Sequence, residues 1–492
     1  MNVLLVYPET PSGFWSFHHA LRFIGKKASI PPLGLPTVAA LLPTDWNKRL
    51  LDLNVTQLTD RDLEWADLVL VSGMVVQRSS ALEVVRRCRD AGRTVVAGGP
   101  LFSEDRESFP EVDHFVLGEA EVILEPFLRD FTDGCAKPIY EPDHFADMST
   151  SPVPAWELVP FRPYASLPIQ YSRGCPYDCE FCSVTSLFGH RPRTKSAGQI
   201  AAELERMRSL GWNGRVFFVD DNLIGNRRNL RQELLPELIA MRRDGLRMSF
   251  HTEASIDLSD DPELMAQMVE AGFDTVFIGI ETPDEESLTE CGKKRNLNRD
   301  LVDSVHRIQR SGLEVQGGFI VGFDHDRPSI FRRQIDFIQR SGITTAMVGL
   351  LQAPRGTKLY RRLVSEGRIR GDSTGDNVDG TTNVIPVMDP DVLRRGYREI
   401  LTKIYSPRNY YRRVRTFLRE YRPGRDRHRV DGTQLRAFFH SLYRLGIVGE
   451  ERSEFWKLLV WIQFRRPRLL PLAVTLAIYG HHFRKVCEVY VK

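Results

Sequence analysis

Residues 1–130 alternate short apolar runs with longer stretches of helical periodicity, a rhythm that predicts a parallel sheet covered by helices. Strands are expected at 3–7, 49–53, 67–72, 94–98 and 114–118, with helices near 35–42 and 79–91. This is the pattern of a doubly wound α/β domain over 1–140, whose ligands bind beyond the carboxyl ends of the strands. The segments expected there are SGMVVQ (72–77), GGP (98–100) and GEAE (118–121).

Residues 141–163 are proline-rich and lack periodicity, and read as a linker. A second alternating series follows, with strands at 167–172, 216–220, 248–253, 275–280, 314–321 and 346–351 and helices such as 197–209 and 261–271. Six strand-helix units over 164–388 predict a partial (β/α)6 barrel, with its chemistry at the strand C-terminal ends. From 389 to 492 the pattern turns helical and basic.

The chain has 492 residues, 42% hydrophobic and 27% charged, enough for two or three domains. A net charge of +3 gives no reason to expect a nucleic-acid partner. The N-terminus reads as a buried strand without the features of a signal peptide, which predicts a cytoplasmic protein. No apolar run is long enough to span a bilayer, but 469–479, with 456–464 before it, suits an interface and peripheral contact with the inner face of the membrane. Seven cysteines, an odd number with three inside eight residues, fit a metal site in a reducing compartment better than a disulfide framework.

Those three are Cys175, Cys179 and Cys182 in RGCPYDCEFC, on a loop just after the first barrel strand. Thiolates are the usual ligands of iron-sulfur clusters, and three of them leave one iron of a cubane open to a substrate or cofactor. A closed zinc site needs a fourth ligand, for which His190 stands as the alternative.

With the aromatic Phe181 before its last cysteine, the triplet resembles the signature of the radical S-adenosylmethionine superfamily. The resemblance implies a 4Fe-4S cluster on the three cysteines. It also implies S-adenosylmethionine on the open iron, cleaved to a 5'-deoxyadenosyl radical by an electron from a donor such as flavodoxin or ferredoxin. By the same resemblance Asp220, Asp221 and Asn222 lie where the amino group is held, Glu253 near the ribose, and Gly279 and Glu281 near the adenine; 317–322 repeats the glycine theme. Helix capping or a buried ion pair is the plain alternative for the three carboxylates of Asp220, Asp221 and Glu253.

The N-terminal domain resembles the Rossmann-like cobalamin-binding domain of one branch of that superfamily, which implies cobalamin at Ser72, Gly73, Met74, Gln77, Gly98, Gly99, Pro100, Gly118 and Glu119. A generic nucleotide or flavin fold is the alternative. Asp113-His114 approaches the motif that gives cobalt a histidine, but its spacing is wrong by one residue, so cobalamin is expected without a histidine ligand.

The whole chain is similar to class B radical S-adenosylmethionine methyltransferases, near the group of the hopanoid C-2 methylases, through segments such as FFVDDNLIGN and FIGIETPD. That implies methylation of an unactivated carbon in a small-molecule or lipid-like substrate. A cobalamin-dependent cyclase or oxidase, or a non-catalytic cobalamin sensor, are the other readings. The arginine-rich stretch 408–429 reads as a solvated helical face or a surface for lipid headgroups, and the aromatic loop 14–19 as a lining of the substrate mouth or packing on the corrin. Cys291 reads as an ordinary free cysteine or a thiol near the substrate, and Cys88, Cys135 and Cys487 as bystanders.

Overall fold

The first apolar run becomes β1 (Asn2–Tyr7), whose Val3, Leu4, Leu5 and Val6 are all buried, as a central strand covered on both faces requires. The computed structural model describes residues 1–376, 378–424 and 432–491. Around β1 stand β2 (Asn47–Asp52), β3 (Leu68–Ser72), β4 (Thr94–Gly98), β5 (His114–Val116) and β6 (Ile139–Tyr140), in the parallel order β2-β1-β3-β4-β5-β6. Alternate residues of β1 feed two cores, Leu4 and Val6 on one face and Val3 and Leu5 on the other. The apolar pattern does not predict β6, whose two residues lie between Pro138 and Pro142.

The stretch 141–163 is fastened down along its length. It makes turns at Met148–Thr150 and Trp156–Leu158, Trp156 is fully buried, and Gln199 Nε2 donates to the carbonyls of Met148, Ser149 and Ser151 at 3.0, 3.2 and 3.1 Å.

The second sheet contains β7 (Ser166–Ile169), β10 (Arg215–Phe218), β11 (Ser249–Ala254), β12 (Phe273–Glu281), β13 (Glu314–Val321) and β14 (Ala346–Leu350), all parallel, in the order β14-β13-β12-β11-β10-β7. Among the described residues β7 and β14 do not pair, so the barrel is open on that side. Residues 14–29 lie across the opening: Ala28 bridges to Tyr164, Ser166 N donates to Ser29 O at 2.9 Å, and Trp15 Nε1 reaches Met347 Sδ on β14 at 3.0 Å.

The strand expected at 167–172 stops at Ile169. Asp220, at the end of β10, accepts the backbone N–H groups of Tyr171 and Ser172 and turns them out of the sheet. Ser172–Arg173 then form β8, antiparallel to β9 (Arg193–Thr194), and these two strands bracket the cysteine loop.

Among the described residues after 389, helices run at Pro390–Tyr405, Pro407–Glu420, Gly432–Tyr443, Arg452–Arg465 and Leu470–Val491. Their apolar faces share one continuous core with the barrel, where Tyr405 OH donates to Ala346 O at 2.7 Å. The arginine-rich stretch is therefore not a uniformly solvated face. Tyr410, Tyr411 and Arg413 are buried, and Arg413 Nη1 donates to the Ile404 carbonyl at 2.8 Å. Arg425, Arg427 and Arg429 lie outside the described residues.

Candidate functional site at the barrel mouth

Gly174 leads into the cysteine loop with φ +93°, and an added Cβ would stand 2.8 Å from the Arg191 carbonyl, so this turn demands glycine. The loop is pinned by Cys175 N donating to Gly189 O (3.2 Å), Cys182 N to Cys179 O (3.1 Å) and Glu180 N to Cys291 O (3.0 Å). All three thiols are half-buried, and burial raises their pKa values, that of Cys182 to about 12. As neutral thiols they have no charge to stabilise; as thiolates they need positive charge close by.

Lys293 supplies part of it, an assignment that the motif did not reveal. Its Nζ lies 2.7 Å from Glu281 Oε1. Burial opposes its charge, but Glu281, Cys179 and Cys182 outweigh that and raise its pKa. Glu281 itself has φ +64°, an unusual value that turns its carboxylate back under Gly279 and toward Lys293.

Two further carboxylates face this cluster without a hydrogen-bonded side-chain partner among the described residues. Burial pushes Asp221 up to about 6 and Glu253, with Asp221 close by, up to about 8. Asp221 acts on Cys175 and Cys182, and both Asp221 and Lys293 act on Glu253. A ligand carrying an amino group or a sulfonium would favour the charged form of both carboxylates.

Other residues expected at the site serve the framework. Both carboxylate oxygens of Asp220 hold Tyr171 and Ser172, and burial, opposed by those hydrogen bonds, raises its pKa to about 7. Asn222 Oδ1 accepts from Ser255 N at 3.2 Å. Phe181 packs behind the loop with Phe323, in the apolar cluster that holds the buried Cys291. Cys88 and Cys487 are buried and Cys135 is exposed. His190 is exposed, and among the described residues no three His, Cys, Asp or Glu side chains converge on a single metal ion. Convergence on one point belongs to a mononuclear site, whereas a cubane gives each cysteine its own iron, so a three-thiol donor set fits the cluster.

At the C-terminal edge of the first sheet, Ser72 pairs in register with Gly98, where an added Cβ would meet the Val116 carbonyl at 2.5 Å. Gly73, Gly99 and Gly118 continue this row of small residues, and Pro100 opens the helix that follows β4. Met74 is half-exposed there. Such an edge suits a broad, flat ligand lying against backbone. Gln77 and Glu119 differ: Gln77 is buried and accepts from Met74 N at 2.8 Å, while Glu119 is buried against Arg173 and Arg193, both at 2.9 Å. His114 Nδ1 pairs with the Lys137 carbonyl at 2.7 Å and its ring packs beside Phe127 and Phe131.

Below the cysteine loop the lumen is aromatic. Phe217 and His251 stack at 4.6 Å, and Trp15 meets Phe277 edge-on at 5.4 Å. The 14–19 loop thus contributes Trp15 to the barrel, while Phe14 and Phe17 pack on Phe483 of the last helix. Burial and the nearby Arg215 lower the His251 pKa, keeping that ring neutral.

Comparison with known proteins agrees with this layout. The B12 binding domain profile matches residues 27–128, the radical SAM superfamily profile 169–338, and a domain of unknown function (DUF4070) 357–492. The chain is 37% identical to an uncharacterized methyltransferase of Synechocystis sp., covering 99% of this chain and 92% of the relative. It is 34% identical to the hopanoid C-2 methylase of Rhodopseudomonas palustris, covering 93% and 88%. The fold matches that of the cobalamin-dependent S-adenosylmethionine radical enzyme OxsB, with a TM-score of 0.62 at 13% identity over 99% of this chain and 80% of that one. A sheet edge of small residues, a three-thiol loop at the mouth of an open barrel and similarity along nearly the whole chain lead to one conclusion: the protein belongs to the cobalamin-dependent radical S-adenosylmethionine methyltransferases, in the group that includes the hopanoid C-2 methylase.

Proposed function

We propose that this methyltransferase alkylates an unactivated carbon of a bulky apolar, lipid-like acceptor, with hopanoids as the first candidates. The observation that carries the substrate class is the aromatic group Phe217, Phe277 and Trp15, which offers dispersion contacts to an apolar acceptor. The hopanoid relative supports the same class.

In this reading Cys175, Cys179 and Cys182 hold the cluster, Asp221 and Glu253 receive the cationic groups of S-adenosylmethionine, and Ser72, Gly73, Gly98 and Gly99 seat cobalamin. When bound, the cluster and S-adenosylmethionine supply hydrogen-atom abstraction and cobalamin supplies the methyl group. The chain's own work is positioning and exclusion. Lys293, held by Glu281, offsets thiolate charge beside Cys179 and Cys182, and the buried carboxylates orient a cation. Trp15 closes the open side of the barrel, which keeps water from a reactive centre. A cytoplasmic site at the inner face of the membrane, reduced by a flavodoxin or ferredoxin, completes the proposal.

The test is anaerobic turnover with methyl-deuterated S-adenosylmethionine and a membrane lipid extract. A deuterated methyl group in a lipid is expected. Release of 5'-deoxyadenosine without any labelled lipid would defeat the lipid reading, and an unlabelled oxidised or cyclised product would move the protein to the cyclase or oxidase class.

A further inference from the structure

Helix Gly432–Tyr443 buries Ala437 and Ser441, yet Leu435, Phe439 and Tyr443, spaced four apart on its other side, are 51–61% exposed. Helix Arg452–Arg465 repeats the arrangement: Phe455, Leu458 and Ile462 are buried, while Trp456, Val460 and Phe464 are 45–84% exposed. The π-helical segment Arg444–Val448 that continues the first helix adds exposed Ile447 and Val448, and Trp456 Nε1 donates to the Gly446 carbonyl at 2.9 Å, joining the second stripe to that segment. Rows of exposed large apolar side chains of this kind mark a contact surface.

The partner's chemistry comes from the far end of the second stripe. Arg419, Arg422, Arg465 and Arg466 surround Trp461 in a cavity of about 430 Å³. Among the described residues none of these four guanidinium groups meets a carboxylate. Arg466 donates instead to the carbonyls of Leu418 and Tyr421, at 2.6 and 2.7 Å, which fixes its charge at the rim. Aromatic side chains beside unpaired arginines form an interfacial pattern, in which rings enter the acyl boundary and guanidinium groups meet phosphates.

We propose that the exposed face of helices 432–443 and 452–465 docks on an anionic lipid bilayer, with the four-arginine cavity holding a phosphate headgroup. It deepens the lipid-acceptor reading but rests on this surface alone. No helix among the described residues is long and apolar enough to cross a membrane, so the contact is peripheral.

The test is co-sedimentation of the reconstituted full chain with phosphatidylglycerol or phosphatidylcholine vesicles, read together with tryptophan emission. Binding to phosphatidylglycerol with a blue shift is expected, with phosphatidylcholine binding about tenfold weaker. Phe464→Asp and Arg465→Glu should each weaken the anionic binding about tenfold or more while leaving the circular dichroism spectrum unchanged. Absence of vesicle binding by the folded wild type, or undiminished binding by both variants, would overturn the proposal. So would light scattering that shows a dimer broken by Phe464→Asp, since a second copy would then cover the face. Methyl transfer to a detergent-dispersed lipid tests the chemistry separately, so each reading can fail without the other.

Discussion

Arg173 Nη1 stands 2.9 Å from Glu119 Oε1, tying the strand that leads into the cysteine loop to the turn after β5 in the N-terminal sheet. Glu121 Oε1 takes the other arm of the guanidinium at 2.8 Å, and Arg193 on β9 shares Glu119 at 2.9 Å. The two sheets are thus joined by buried charges two residues from Cys175. Removing one member leaves its partners charged and dry, which is far costlier than losing an exposed pair.

Glu119→Gln should therefore cost about 3–5 kcal/mol in urea unfolding of the intact chain. A loss below about 1 kcal/mol would show that solvent already screens the cluster.

Alanine at Cys175, Cys179 or Cys182 should reduce iron in anaerobically reconstituted protein from about four atoms per chain to background and abolish 5'-deoxyadenosine formation. Cys291→Ser serves as the control, because this sulfur is buried and faces the Leu288 carbonyl. Iron should be retained there; its loss would make Cys291 part of the site.

Trp15 is partly exposed, so Trp15→Ala should hardly change the melting temperature. Methylated product should fall about tenfold while 5'-deoxyadenosine is still released, because the variant loses the lumen wall and keeps the cysteine loop. Equal loss of both products would instead place Trp15 in the support of the cofactors.

Glu451 is buried between His481 and Arg484, at 3.1 and 2.5 Å. Burial alone would raise its pKa, but the hydrogen bonds from those two residues hold it down at about 2, against an ordinary 4.5. A depressed carboxylate stabilises the folded chain above the unfolded value, and that stability is lost as the pH falls from 4.5 toward 2. Glu451→Gln should lower stability at pH 7 by about 3 kcal/mol and flatten the acid limb of a pH series of urea titrations. Parallel wild-type and variant curves would refute the assignment.

Gly98→Ala should destabilise the first sheet and weaken cobalamin retention, since its Cβ would stand 2.5 Å from the Val116 carbonyl. Unchanged retention of cobalamin by a folded variant would move the corrin away from this edge.

Much of the site was legible because its chemistry is local. The triplet Cys175, Cys179 and Cys182 lies within eight residues, and the strand ends carrying Ser72, Gly98 and Glu253 follow from alternation of apolar positions. Adjacent residues were harder to separate. Asp220 and Asp221 look alike in sequence, yet the turn after β10 leaves the first holding the backbone of Tyr171 and Ser172 and the second near the thiols. Lys293 carried no signal, because its partners Glu281, Cys179 and Cys182 are brought to it by folding.

By itself the sequence determined the two parallel sheets, the order of the domains and the three thiols. All of these rest on short-range patterns of burial, turn chemistry and ligand spacing. Only the tertiary structure decided that residues 14–29 cross the open side of the barrel, that Glu119 clamps Arg173, and that two apolar stripes remain uncovered beside a nest of arginines. The physical reason is that a side chain's role is set by which atoms meet it after packing, and charges or rings far apart along the chain leave no mark of that meeting in their own neighbourhoods.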